Sequence, residues 1–192
     1  MTKWLGLLAL ILLGVAPTQA QDNKVPTWEV GGGYTFRDYN NPNTSDRFVM
    51  NGWAIMADRM VFRKWLSVAA QADGGYTSEG NNTRVYTVMA GPQVYPFGHR
   101  KITLYGQFLF GEGYTRYVVP ASGGYPSTPF SSHAYAWQGG GGFDYAWKPH
   151  WTIRMVQFDY ENTRFFNANP SQGNFKVSVG IMYRFGKLRR GR

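Results

Sequence analysis

The 192-residue chain has no cysteine, a charged fraction of only 16%, and no long apolar run after about residue 20. The absence of cysteine excludes disulfides and thiolate metal sites. The absence of a further run of roughly 20 apolar residues excludes membrane-spanning helices from the rest of the chain. Aromatic residues nevertheless reach 17%, and there are 24 glycines. Stability must therefore come from burial, from closure of a sheet, or from a surrounding membrane.

The N-terminus has the pattern of a secretory signal peptide. Lys3 precedes an apolar core over residues 4–15, and the small-residue site Thr18-Gln19-Ala20 follows it. This core is about a dozen residues long, which is too short for a transmembrane helix of roughly 20. We therefore expect export and cleavage after Ala20.

The last stretch, from Phe175 to Phe185, alternates apolar residues with small, polar, charged or Met residues without a break. A period of two predicts a β-strand with one apolar face and one polar face. Seven comparable segments precede it. The eight predicted strands cover residues 28–36, 48–62, 65–76, 84–97, 102–115, 133–147, 151–165 and 175–185.

The connections between these segments alternate strictly between long and short. The long ones, at 37–47, 77–83, 116–132 and 166–174, are polar and rich in turn formers, whereas the short ones lie at 63–64, 98–101 and 148–150. This order places four loops at one end of a barrel, and three turns with both chain termini at the other. We predict an all-β, eight-stranded antiparallel up-and-down transmembrane β-barrel with extracellular loops and periplasmic turns. The barrel domain should cover residues 21–186, followed by a basic periplasmic tail over residues 187–192.

The alternation also assigns the two faces, with Trp28 outside and Glu29 inside, for example. The phase breaks in the seventh segment, where we predict a β-bulge near Met155-Val156. Eight strands leave an interior just wide enough for side chains. Inward polar side chains should therefore pair and fill it rather than line a pore. The predicted polar network consists of Glu29, Gln71, Asp73, Gln138, Asp144, Asp159, Lys176 and Arg184.

Aromatic residues gather at the segment ends, where membrane barrels carry girdles. The turn-end set is Trp28, Phe62, Trp65, Phe97, Trp147, Trp151 and Phe185. The loop-end set is Phe36, Phe48, Tyr76, Tyr114, Tyr135, Phe165 and Phe175. The alternative is the core of a soluble β-sandwich, which the placement at strand ends disfavours. The formal net charge is +9, and many of the basic residues lie at the predicted turn end. They form either an anchor to anionic headgroups or a solvated rim.

Several short motifs resemble the small bacterial outer-membrane β-barrel family, which includes opacity-type surface antigens and OmpA-like barrel domains. They are Val30-Gly31-Gly32-Gly33-Tyr34, Asn51-Gly52-Trp53, the run from Gly139 to Asp144, Gln157-Phe158-Asp159-Tyr160 and Tyr183-Arg184-Phe185-Gly186. The resemblance implies insertion by the barrel assembly machinery, with Tyr183 and Phe185 as its signal. The chain stops seven residues after Phe185, so the cell-wall-binding domain of OmpA-like proteins is not expected.

We expect a non-enzymatic protein of the cell surface, monomeric, in contact with outer-membrane lipids and an extracellular partner, with no cofactor, metal or nucleic acid. The loop at 116–132 is the longest, and its Tyr117, Tyr125 and Phe130 form the expected contact surface. The alternatives are a small-solute channel, a lipid-modifying barrel enzyme and a soluble lipocalin-like carrier.

A serine hydrolase would need a serine, a histidine and an acid that converge. Ser131, Ser132 and His133 stand near Glu112 in the predicted barrel, but adjacent strand residues point to opposite faces, which disfavours a nucleophile and base pair. His99 and His150 lie in short turns and are expected to be solvated.

Overall fold

The structure, a computed structural model, describes residues 24–25, 27–40, 47–62, 65–77, 82–119, 126–165, 172–186 and 189–190. The expected signal peptide lies outside these residues. Ten strands are present: β1 Lys24–Val25, β2 Trp28–Asn40, β3 Arg47–Phe62, β4 Leu66–Tyr76, β5 Arg84–Val94, β6 Ile102–Val119, β7 Thr128–Lys148, β8 Trp151–Thr163, β9 Gln172–Phe185 and β10 Arg189–Arg190.

Strands β2 to β9 form a closed barrel in which each strand pairs with its sequence neighbours, and β2 pairs antiparallel with β9 to complete the ring. This confirms the predicted eight-stranded antiparallel barrel. Trp28 pairs with Phe185 at the closure, and the short β1 pairs with β10 beyond it. Both ends of the described chain therefore lie at the end of the barrel that carries the short turns. We call it the turn end, and its opposite the loop end.

Side chains alternate between the two faces of the barrel wall as the sequence predicts. In β9, Val179 is 45% exposed and Ile181 is 42% exposed, whereas Lys176 is 1% exposed. Apolar groups point away from the axis and polar groups point toward it. A soluble barrel has the reverse arrangement, so the lipocalin-like alternative does not fit. Within the described ranges, the chain forms no helix of the length and hydropathy needed to cross a bilayer.

The predicted bulge in β8 is confirmed. Phe143 of β7 pairs with Val156 while Asp144 pairs with Arg154, so Met155 is an extra residue. On the other side, the register with β9 shifts between Arg154 and Gln157. The bulge keeps Arg154 and Gln157 both buried although they are three residues apart, which explains the change of phase in the sequence.

The strands differ in length, and the prediction of a loop over residues 116–132 is wrong at both ends. Strands β6 and β7 extend through most of that range, to Val119 and from Thr128. A membrane strand needs only about 9–11 residues, whereas β6 has 18 and β7 has 21. This hairpin therefore continues well past the barrel wall.

The turn after β5 also departs from the prediction. The strand ends at Val94, and the chain then folds back, with hydrogen bonds from the Tyr95 amide to the Trp65 carbonyl and from the Gly98 amide to the Tyr95 carbonyl. Tyr95 and His99 are buried with their rings 4.2 Å apart. The expectation of a solvated His99 is therefore wrong, because this turn packs into the barrel mouth.

The turn-end aromatic residues are all exposed on the outer wall, as a girdle requires. At the loop end, Phe48 and Phe165 are instead buried. Phe48 is in phase with Met50 and packs beside Tyr39. Phe165 keeps the inward phase that the bulge gives to the end of β8. The girdle prediction is therefore wrong for Phe48 and Phe165. Both lie at a strand end, but their side chains fall on the inward face of the strand.

Candidate functional site

All eight side chains of the predicted network are buried in the interior of the barrel. At its centre, the Lys176 ammonium donates to Asp73 at 2.8 Å and to Gln138 at 2.6 Å, and it lies 3.4 Å from Glu161. Arg37 contributes a second cation to the same two carboxylates, donating to Asp73 and to Glu161. Four strands are joined by these contacts, since the charged groups come from β2, β4, β8 and β9.

Amide side chains continue this network along the axis. Gln71 accepts hydrogen bonds from Gln138 at 3.2 Å and from Gln157 at 3.1 Å. Gln157 also donates to Asp159 at 2.6 Å, and Gln107 donates to the same carboxylate at 2.9 Å. The Gln71 and Asp159 side chains each accept two hydrogen bonds from other amide side chains. A polar core therefore replaces the usual apolar one.

A second group of ion pairs lies toward the turn end. Arg154 makes a two-point contact with Asp144, at 3.0 and 3.1 Å, and its guanidinium stacks 4.4 Å from the centre of the Tyr105 ring. Arg184 donates to Glu29 at 2.5 Å. Both pairs connect strands that are neighbours or near neighbours in the ring. They close the interior below the amide layer.

The space that these groups leave is small. A cavity of about 10 Å³ lies among Asp58, Gln93, Gln107 and Arg154, which is about the volume that one water molecule needs. Among these four residues the side chains leave space for about one water molecule, which agrees with an interior just wide enough for side chains. This geometry does not favour the small-solute channel.

Sequence reasoning missed Arg37, Arg154 and Glu161 as members of the network. The sequence predicts that the first strand ends at Phe36, which places Arg37 in a loop. In the structure β2 continues, and Arg37 faces inward like Glu29 and Thr35. Arg154 precedes the bulge, where the phase was ambiguous. The alternation of side chains indicates that Arg37 faces inward, but the sequence does not show that β2 continues past Phe36.

The three aromatic residues of the expected contact surface are only partly located. Tyr117 and Phe130 are paired strand residues of the extended hairpin, with ring centres 5.1 Å apart, and not loop residues. Tyr125 lies outside the described residues. The two described rings pack against each other on one face of the β6–β7 ribbon.

The residues of the hydrolase alternative are partly brought together. His133 Nδ1 lies 2.6 Å from Glu112 Oε1 on the outer wall, and both side chains are about two-thirds exposed. Ser131 shares this exposed face, whereas Ser132 is buried. The two serines point to opposite faces, and the structure gives Ser131 no hydrogen bond to His133. An acid and base pair is present, but among the described residues no serine is hydrogen-bonded to His133 to complete a triad.

Tyr183 and Phe185, the expected assembly signal, lie on the outer wall at the turn end. Tyr183 packs edge-on against Trp151, with ring centres 5.0 Å apart, and Phe185 stacks with Trp28 at 6.3 Å. Both rings therefore belong to an aromatic girdle at the closure of the barrel. In the described part of the chain, no three histidine or acidic side chains are grouped so that they could hold a metal ion.

A family model described as "Outer membrane protein beta-barrel domain" matches residues 5–185. The chain belongs to this family. Its location is therefore the bacterial outer membrane, and the apolar wall of the barrel faces lipid. No curated protein matches the sequence.

Solved structures show the same fold for other members of the outer-membrane barrel class. Ail, the attachment invasion locus protein of Yersinia pestis, has a TM-score of 0.62 at 17% identity, over 84% of this chain and 99% of its own. Neisserial surface protein A has a TM-score of 0.60 at 12% identity, over 83% of this chain and 97% of its own. At these identities the likeness shows the fold alone.

Proposed function

We propose that this barrel is a non-enzymatic surface-interaction protein whose contact surface is the projecting β6–β7 hairpin. The loop end faces the cell exterior, and the turn end and both termini face the periplasm, as in other outer-membrane barrels. The barrel assembly machinery inserts it as a monomer, reading the strand that carries Tyr183 and Phe185. The names of the two similar structures, an attachment protein and a surface protein, support a role at the surface.

One observation carries the proposal: the hairpin rises above both of its neighbours in the ring. On one side, pairing of β6 with β5 ends at Arg116. On the other, pairing of β7 with β8 ends at Ala136. Residues 128–135 of β7 therefore pair with β6 but with no other described strand. The Tyr135 carbonyl still accepts a hydrogen bond from the Arg164 amide, so the free stretch covers residues 128–134 and is about 24 Å long at about 3.4 Å per residue.

A free strand edge is a binding surface for another extended chain, because its amide and carbonyl groups have no partners in the sheet. The Tyr135 carbonyl points to the β8 side, where it accepts a hydrogen bond from the Arg164 amide at 3.2 Å. In an antiparallel ladder, residues two apart point their backbone groups the same way. The amides of Ser131 and His133 therefore point to the open edge, and an extended segment of an extracellular protein can add to it.

Substitution of Ser131 by proline tests this edge. Proline removes the edge amide at a position whose backbone groups do not bond to β6. The wild type is first measured by surface plasmon resonance against a panel of purified extracellular proteins. We expect Ser131→Pro to lose at least tenfold in affinity for the panel members that the wild type binds.

Ser131→Ala is the matched control, since it removes the hydroxyl and keeps the amide. A second variant, in which Asn-Gly replaces residues 116–131, removes the projecting ribbon and joins Thr115 to Ser132, a pair whose backbone groups face each other, with a hairpin turn. Both should keep heat-modifiable gel mobility, and only the shortened protein should lose binding. Wild-type binding by the shortened protein, or binding to no panel member by the wild type, contradicts the proposal.

A further inference from the structure

The outer wall has a sharp border between apolar and charged residues at the loop end of β4 and β5. These strands have 11 residues each, about the length that spans the hydrocarbon of a bilayer. Their outward residues are apolar or aromatic from Leu66 to Tyr76 and from Tyr86 to Val94. Arg84 is the first charged outward residue on these two strands, so it lies about one hydrocarbon thickness from their turn ends, near the headgroups of the outer leaflet.

A second arginine stands directly opposite the first. Arg116 of β6 pairs with Arg84 across the ladder, and both side chains are exposed. Like charges placed opposite each other destabilise a sheet unless a counter-charge lies between them. In the described part of the chain, neither guanidinium is in an ion pair or a side-chain hydrogen bond.

Two other charged residues on the outer wall near the loop end have partners within the chain. Arg47, at the rim of β3, forms an exposed pair with Asp38, with Nη2 and Oδ2 2.8 Å apart. Glu112, on the same face of β6 as Arg116, is paired with His133. The two arginines are thus left without the neutralising group that their neighbours have, which points to an anion from outside the chain.

The surroundings of the two arginines form an open groove of about 1240 Å³ in the outer wall. Asn51, Tyr76, Arg84 and Arg116 line it as successive partners in one row across strands β3 to β6. The next outward pair toward the turn end is Tyr86 and Tyr114, whose rings stack at 6.3 Å. The groove therefore has a basic and amide rim over an aromatic floor.

We propose that Arg84 and Arg116 bind the phosphate group of a phosphorylated glycolipid in the outer leaflet, of the kind represented by lipid A. Guanidinium groups match phosphate oxygens with paired, charge-assisted hydrogen bonds. The aromatic floor packs against the sugar and the first acyl carbons, as tyrosines do at membrane interfaces. A lipid rather than a free anion fits the groove because its floor is continuous with the lipid-facing wall.

The test measures binding of fluorescently labelled lipid A to the full-length folded protein in zwitterionic detergent micelles, by anisotropy. Each of Arg84→Ala and Arg116→Ala should weaken binding about tenfold, which is the effect of one charge-assisted hydrogen bond, and the double variant should lose more. Arg84→Lys with Arg116→Lys should recover only part of the affinity, because ammonium groups supply charge without the paired geometry.

Arg47→Ala removes the same charge from the same rim and should bind as the wild type. Dephosphorylated lipid A should bind the wild type as weakly as it binds the double alanine variant. Inorganic phosphate should compete only weakly.

The proposal is overturned if the double variant retains full affinity, if Arg47→Ala weakens binding equally, or if dephosphorylated lipid A binds like lipid A. It is also overturned if inorganic phosphate displaces the lipid at comparable concentration. Heat-modifiable gel mobility checks that each variant folds. If Arg84→Ala does not fold, Arg84→Gln takes its place.

Discussion

Lys176 shows what a single residue does in this barrel, where charged groups take the place of an apolar core. Its ammonium is fully enclosed and contacts three acceptors from three other strands. A buried ion pair adds little net stability compared with apolar groups of the same shape, but removing one partner leaves an uncompensated charge. The network is therefore sensitive to the loss of any one member.

We expect Lys176→Met to lower the free energy of unfolding by about 3–5 kcal/mol, because Asp73 and Glu161 would share the single cation Arg37. Urea unfolding in lipid vesicles measures this change. Lys148→Met is the matched control, since Lys148 is exposed at the turn end and lies 4.6 Å over the Trp147 ring. It should shift the free energy by no more than about 0.5 kcal/mol. Equal effects of the two substitutions would contradict a network role for Lys176.

At the scale of the element, the bulge of β8 shows how a strand adjusts its phase to the barrel. Without Met155, Arg154 and Gln157 would still face inward, with Val156 alone between them facing out. The pairs of Arg154 with Gly180 and of Gln157 with Ser178 would be kept in a regular ladder. The extra residue is therefore removable in principle, whereas any residue beyond the bulge is not.

Two single-residue deletions test this difference. Deletion of Met155 should give a folded, heat-modifiable barrel. Deletion of Phe158 should prevent folding, because it turns Asp159 and Glu161 toward lipid and removes their interior partners; charged groups on the lipid face are costly, up to about 2–4 kcal/mol for the most costly ones. The interpretation of the bulge fails if the Met155 deletion does not fold or if the Phe158 deletion does.

The sequence predicts the elements of this barrel well where side-chain parity is clear, and poorly where a boundary is set by tertiary contacts. Strand number, facing and the bulge follow from a period of two, which is a local property. The extension of β6 and β7 through residues 116–132 does not, since that range contains prolines and glycines and reads as loop. Likewise, nothing local shows that the turn holding His99 packs into the barrel mouth.

At the scale of the whole molecule, the wall and the interior of the closed barrel have different roles. The ring of strands satisfies the backbone, the apolar wall meets lipid, and the ion pairs of Asp73 with Arg37 and Lys176 join strands that are not neighbours in the ring. Of the described residues, those of the hairpin and of the rim are then left to contact other molecules. The orientation of the side chains is thus the claim on which both proposals depend.

Spin-label accessibility along β9 measures that orientation most directly, because the chain has no cysteine and each introduced cysteine is unique. Labels at Val177, Val179 and Ile181 in lipid vesicles should be relaxed strongly by oxygen and weakly by a water-soluble nickel chelate. Labels at Ser178 and Met182 should be shielded from both reagents. Accessibility to oxygen at the even positions, or no alternation along the strand, would contradict the account.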